Sequence, residues 1–174
     1  AVASAISRHG AVASAELSHA GMYAQDSFQR TGKLYGPVAM EGKYGPVDEM
    51  PEEMILALAE AYGQAAAWAK RCGFGMVTIH GGHGWLLGQF FSPVLNTRKD
   101  RWGGSLENRM RLPLAIIEAV RRAVGPGFPI EFRMSGDELI PGGYDLDEAV
   151  EIAKMLDGKI DLFNISVGHH EVDS

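Results

Sequence analysis

Chemistry in this chain concentrates in its histidines. His80 and His83 stand at i and i+3 across the Gly-rich turn that runs from His80 to Trp85. Two imidazoles at that spacing can donate two hydrogen bonds to one ligand oxygen, and glycines between them let the backbone approach a ligand closely. Two plainer roles fit the same pair. The imidazoles could satisfy turn carbonyls, or they could bind zinc, in which case His169 or His170 has to supply a third ligand. Arg133 lies in the stretch from Pro129 to Met134, which reads as a buried strand, so its guanidinium needs a partner. That partner is either an anionic cofactor edge or an internal carboxylate from Asp137, Glu131 or Glu16. Glu16 and Glu171, near strand ends, could each act as a general base or simply orient a neighbour. Trp85 reads as core packing and Cys72 as a buried small residue.

The elements that must position these residues follow from pattern and punctuation. Residues 1–9 read as the tail of a helix stopped by Gly10, and Ala11 to Leu17 as a short strand. His19 to Met50 has no clear period and reads as a long functional loop such as a lid. Pro51 suits a first helical position, with Glu52 and Glu53 at the positive end of the dipole. Met54, Leu58, Ala61, Ala65 and Trp68 then recur at helical spacing up to Gly73. Met76 to Ile79 is a strand ending at His80, and Trp85 to Phe91 is a short apolar piece. Ser105 caps one helix expected to run through Val124, and Gly125-Pro126-Gly127 stops it. The strand Pro129 to Met134 follows. Asp145 and Glu148 have capping-box spacing for a helix to about Leu156, and Ile160 to Ser166 is the last strand.

Strands alternating with helices demand parallel pairing. An open doubly wound sheet and an eight-stranded barrel both satisfy that demand. No Gly-x-Gly-x-x-Gly fingerprint opens a helix after a strand, and four strands alone cannot close a barrel. In parallel β/α folds the site lies at the C-terminal strand ends. His19, His80, His83, His169 and His170, five of the six histidines, fall at those ends together with Arg133.

Composition narrows the function classes. The 174 residues are 46% hydrophobic and 22% charged, enough for a packed core, and the formal net charge is −6. An acidic balance argues against nucleic-acid and anionic-membrane partners. Cys72, the single cysteine, excludes an internal disulfide and a Cys-rich metal centre, and fits a reducing cytoplasm. No apolar run reaches the length of a membrane span. The first residues lack signal-peptide character and an initiator Met, which points to a chain that begins within a longer protein.

Two stretches carry a family resemblance: His80 to Pro93 (His-Gly-Gly-His-Gly-Trp-Leu-Leu-Gly-Gln-Phe-Phe-Ser-Pro) and Asn96 to Arg109 (Asn-Thr-Arg-Lys-Asp-Arg-Trp-Gly-Gly-Ser-Leu-Glu-Asn-Arg). They resemble the old yellow enzyme family, in particular the branch of 2,4-dienoyl-CoA reductases and related enoate and bile-acid oxidoreductases. The resemblance implies an α/β fold, a (β/α)8 TIM barrel with FMN at its C-terminal face, of which residues 1–174 form a single partial domain holding about strands 3 to 6. It implies NADH or NADPH as reductant and a small-molecule substrate with a polarised alkene. In the dienoyl-CoA reductase branch, further domains binding an iron–sulfur cluster, FAD and a nicotinamide nucleotide follow outside these residues. Homo-oligomer formation is left open.

Residue by residue, the resemblance makes His80 and His83 the pair that binds a substrate carbonyl over the flavin. Arg133 becomes the arginine facing the flavin N1 and O2 edge. His170, in Gly-His-His-Glu, matches a histidine of the family pattern Gly-Trp-His-Glu, with His169 in place of the Trp. Two positions depart. Glu16 stands where the family has a Gln that hydrogen-bonds the flavin pyrimidine, and Trp85 stands where the family has its proton-donating Tyr. Three readings follow from the residues: a segment of a flavin-dependent alkene reductase, a truncated or degenerate barrel without activity, and metal-assisted hydrolysis by the histidines.

Overall fold

The computed structural model describes residues 2–169. A short helix, α1 (Val2–Ser7), leads to Gly10, whose φ of 83° suits a helix stop, and then to strand β1 (Ser14–Leu17). The stretch from His19 to Met50, expected as one long loop, is instead a small folded excursion. It contains a 3-10 turn (Gly21–Tyr23), α2 (Gln25–Thr31), β2 (Leu34–Gly36), β3 (Met40–Gly42) and β4 (Gly45–Glu49). The three strands form a sheet in the order β2-β4-β3, over a core of Met22, Tyr23, Leu34 and Val47. Strands this short give no alternation to read, and their apolar partners come from separate places in the chain. Arg98 fastens the excursion to the main body by donating to Pro37 O at 2.8 Å and Met50 O at 3.0 Å.

Helix α3 (Glu52–Arg71) follows, with Pro51 as its N-cap (ψ 156°) rather than its first helical residue. Then come β5 (Met76–His80) and α4 (Leu86–Phe91). The helix expected from Ser105 to Val124 is two helices, α5 (Leu106–Arg109) and α6 (Arg111–Val124). Pro113 explains the break: it has no N–H to give the Arg109 carbonyl, and a proline is tolerated only in the first turn of a helix. Ser105 does cap α5, accepting from Asn108 N–H. Strand β6 (Ile130–Ser135), helix α7 (Leu146–Leu156) and strand β7 (Leu162–Ser166) complete the described chain, and Asp145 caps α7 through Glu148 N–H as its spacing required. Cys72, expected to be buried, is exposed at the end of α3.

The main sheet has the order β1-β5-β6-β7, with every pair parallel. Each strand is added on the same side of the last, so the order never reverses. That progression is the singly wound pattern of a barrel wall, whereas an open doubly wound sheet reverses at a switch point. The chain therefore forms four strands of a parallel β/α barrel. One face of the sheet is apolar: Val77, Ile79, Ile130 and Phe132 belong to the same core as residues of α3 and α6. The two helices cross closely where a Cβ on Gly63 would come within 2.9 Å of Ala119 O. The opposite face, one residue out of step along each strand, is polar. Ser14 Oγ lies 2.8 Å from Thr78 Oγ1, Thr78 donates to Glu131, and Asn164 Nδ2 donates to Glu131 at 3.3 Å.

Candidate active site

Three charged or titratable side chains meet toward the C-terminal end of the polar face, although Glu16 pairs in register with Thr78, two residues before His80. His80, the last residue of β5, pairs in register with Arg133 of β6. The Glu16 carboxylate, on β1, reaches between them: Oε1 is 3.1 Å from His80 Nδ1 and Oε2 is 4.0 Å from Arg133 Nη1. The His80 side chain is 4% exposed, Arg133 33% and Glu16 47%, so this is a rim opening outward from a buried imidazole. Of the three internal carboxylates considered for Arg133, Glu16 is the one within ion-pair distance, and the Arg133 Nε remains buried without a hydrogen-bond partner.

The turn after β5 sets His83 beside this group. Its glycines are required by packing. A Cβ on Gly81 would come within 2.7 Å of the Phe132 ring, and one on Gly84 (φ 73°) would fall on the His169 imidazole. His83 itself has a positive φ of 56°, which costs a non-glycine residue unless its surroundings hold it there. Ser135 Oγ supplies that hold, accepting from His83 N–H at 3.0 Å and donating to Gly168 O at 2.8 Å. The His83 ring stacks on His80 with centroids 5.2 Å apart. Its Nδ1 is 3.4 Å from His80 Nε2 and its Nε2 is 2.6 Å from Ser166 Oγ at the end of β7. Burial pulls the His80 pKa below its ordinary value against the nearby Glu16 carboxylate, and His83 and Arg133 push in the same direction as burial.

The remaining candidates lie around this centre. His19 follows β1 and accepts from Gly21 N–H through Nδ1 at 2.9 Å, and burial lowers its pKa. His169 is buried and sits edge-on to Tyr23, with centroids 6.1 Å apart. Trp85 caps α4 and meets Tyr23 edge-on at 6.3 Å, against the core of the small sheet. His170 and Glu171 lie outside the described residues. Among the described residues, no three His, Cys, Asp or Glu side chains converge as a metal site. A hollow of about 620 Å³, lined by Leu114, Ile117, Arg121 and Ile160, lies at the other end of the sheet, away from these groups.

Three residues of the site were not singled out from the sequence. Ser135 and Ser166 are ordinary serines until register places both at strand ends beside His83. Gln89, on α4, is fully buried and ties the two loops together: its Oε1 accepts from Met22 N–H at 3.2 Å and its Nε2 donates to Ala20 O at 3.1 Å and Gly84 O at 2.8 Å. The rule that strand C-termini carry function could have flagged the serines, but not Gln89.

The pattern of the NADH:flavin oxidoreductase / NADH oxidase family matches residues 1–171. The chain belongs to this family. Among curated relatives, an NADH oxidase of Thermoanaerobacter brockii is 35% identical over 98% of the chain, which spans 27% of that protein. Among solved structures, a 2-naphthoyl-CoA reductase in complex with 2-naphthoyl-CoA superposes with a TM-score of 0.92 at 33% identity, covering 98% of this chain and 28% of that one. An old yellow enzyme homologue from Zymomonas mobilis gives 0.83 at 27% identity, covering 94% and 50%. The chain thus spans half or less of the length of these family members. The resemblance to the old yellow enzyme family read from the two motif stretches and the barrel fold it implied both stand.

Proposed function

We propose that the protein is an FMN-dependent NAD(P)H oxidoreductase that reduces an activated C=C bond, and that these residues form one wall of its site. The observation that carries this reading is the convergence of the His80, His83, Arg133 and Glu16 side chains toward the C-terminal end of the polar sheet face. FMN, when bound, supplies the hydride-accepting and hydride-donating chemistry between nicotinamide and substrate. Arg133 suits the edge of the flavin that becomes anionic on reduction: its Nε is a buried donor without an acceptor, so the donor set fits an electron-rich heterocycle. Glu16 can accept from the flavin N3–H but, when ionised, has no proton to give a flavin oxygen. His80 and His83 polarise the substrate carbonyl, acting where negative charge develops. The Trp85 indole is no useful acid near neutral pH, so the proton for the substrate carbon comes from water or from His83.

The finer reading is a relative of the 2,4-dienoyl-CoA reductases. The neighbouring 2-naphthoyl-CoA reductase supports an unsaturated acyl thioester as substrate class. Residues 1–174 are then one partial FMN-binding domain of a cytoplasmic protein, and iron–sulfur and FAD groups belong to other regions. No helix among the described residues is long and apolar enough to cross a membrane. The test is to purify the protein with its natural flanks. Bound FMN and NAD(P)H-dependent reduction of an enone or enoyl thioester are expected. Protein that is flavin-free and cannot be reconstituted would end the proposal. A non-catalytic barrel fragment is the second reading, favoured by sheet edges at β1 and β7 that each have one strand neighbour among the described residues.

A further inference from the structure

A carboxyl that no catalytic step uses closes the neck of the loop between β6 and α7. Glu138 N–H donates to Tyr144 O at 3.1 Å, and Glu138 Oε2 accepts from Tyr144 N–H at 3.2 Å. These two bonds pinch residues 138–144 into a closed loop. Gly143 packs against the carboxyl, since a Cβ there would come within 2.6 Å of Oε2. Beyond the neck the loop faces solvent, with Leu139 exposed at a φ of 58°. We infer that Glu138, in its neutral form, is a positioning residue that latches this loop and, through Tyr144 and Ser135, the His83 turn, and that ionisation of Glu138 releases both.

The surroundings of the carboxyl favour its neutral form. Glu138 is buried, and its Oε1 has no hydrogen-bond partner among the described residues. The groups that face it are Ser92 at the C-cap of α4, Arg109 on α5, Glu148 on α7 and Tyr144 at the end of the loop. Arg109 is the cation among them, and its donors are committed elsewhere: Nη1 to Phe91 O, Nη2 to Glu148 and Nε to Gly104 O. Glu148 repels a second negative charge. A buried carboxylate without a cation of its own is costly, and that cost exceeds what the Ser92 hydroxyl and the Tyr144 N–H return. When the acid ionises, opening the neck lets water reach the charge. Local opening of this kind requires far less than unfolding the barrel wall.

The route from the latch to the site is short. Tyr144 Oη donates to Ser135 O at 3.2 Å. The Ser135 hydroxyl donates to Gly168 O at 2.8 Å and accepts from His83 N–H at 3.0 Å. Opening at Tyr144 removes a support from the strand end that keeps His83 at its positive φ. The inference rests on the proposed function only in the use the protein makes of His83; the latch is readable without substrate or turnover.

The test is amide hydrogen exchange of the full protein at about pH 5 and about pH 7, corrected for the intrinsic pH dependence of exchange, in peptides covering residues 138–144 and 81–85. An open loop exposes Glu138 at its ordinary pKa of 4.5, whereas the closed loop holds it at about 7. The opening constant at Tyr144 should therefore rise roughly 30-fold across that interval, and opening at His83 should rise with it. Glu138→Gln should abolish both rises and keep at the higher pH the protection that the wild type shows at the lower. Tyr144→Phe, which removes the link to Ser135 O, should leave the rise in residues 138–144 and abolish it at His83. The inference is overturned if the wild type shows no rise at Tyr144, if Glu138→Gln leaves the rise in place, or if His83 stays protected while Tyr144 opens. A flavin-free, inactive protein with the paired rise would sink the reductase reading and leave the latch standing.

Discussion

At the scale of single residues, Glu16 has the most consequence. It places a negative charge beside His80 and Arg133, where the family norm is a neutral amide. A nearby anion opposes the charge that flavin gains on reduction. Glu16→Gln in the flavin-loaded protein should therefore raise the FMN midpoint potential, by no more than about 30 mV because Glu16 is half exposed to solvent. A spectroelectrochemical titration reads this directly, and an unchanged or lower potential would remove Glu16 from the flavin edge. Glu16, His80, His83 and Arg133 were all legible in the sequence because each belongs to a recognisable strand end or turn. The two serines were not. Their role depends on the register between β5, β6 and β7, which no local pattern contains.

At the scale of elements, caps and crossings were partly legible. The Asp145 to Glu148 cap was, and its Oδ1 accepts from Glu148 N–H at 3.1 Å. Asp145→Ala should cost about 1 kcal/mol, seen as a lower urea midpoint with an unchanged slope. The α3–α6 crossing was not legible, because nothing in either helix alone says that Gly63 meets the Ala119 carbonyl. Gly63→Val should overfill it and destabilise by about 1–3 kcal/mol in the same assay. A fully stable Gly63→Val variant would mean that the helices can separate at no cost. The excursion between β1 and α3 escaped for a different reason. Its strands are three to five residues long and its core is assembled from distant positions, so hydrophobic period had too little chain to act on.

At the scale of the whole molecule, stability should depend on one buried acid. Glu138 is 2% exposed, and its Oε2 accepts from Tyr144 N–H at 3.2 Å. Burial pushes its pKa up to about 7 from 4.5, outweighing the Ser92 hydroxyl, the Tyr144 N–H and the nearby Arg109 charge. Between those values the unfolded chain has released the proton that the folded chain still holds. Stability should therefore fall as pH rises from about 4.5 to about 7, by on the order of 3 kcal/mol, and then level off. Glu138→Gln should flatten that slope in urea melts on either side of the window. Expressed alone, the 174-residue segment should also associate, because among the described residues β1 and β7 each pair with a single neighbour and Leu162 and Ile165 are exposed. Size-exclusion chromatography should show concentration-dependent species, reduced by Leu162→Lys. A strictly monomeric segment would mean that these edges are protected. Gln89 carries a last, mechanical consequence. By gripping Ala20, Met22 and Gly84 at once, it rivets the chain behind the first strand to the imidazole turn. A bulky guest cannot be admitted by prising those two segments apart, so clearance for it has to come from a side of the site that Gln89 does not hold.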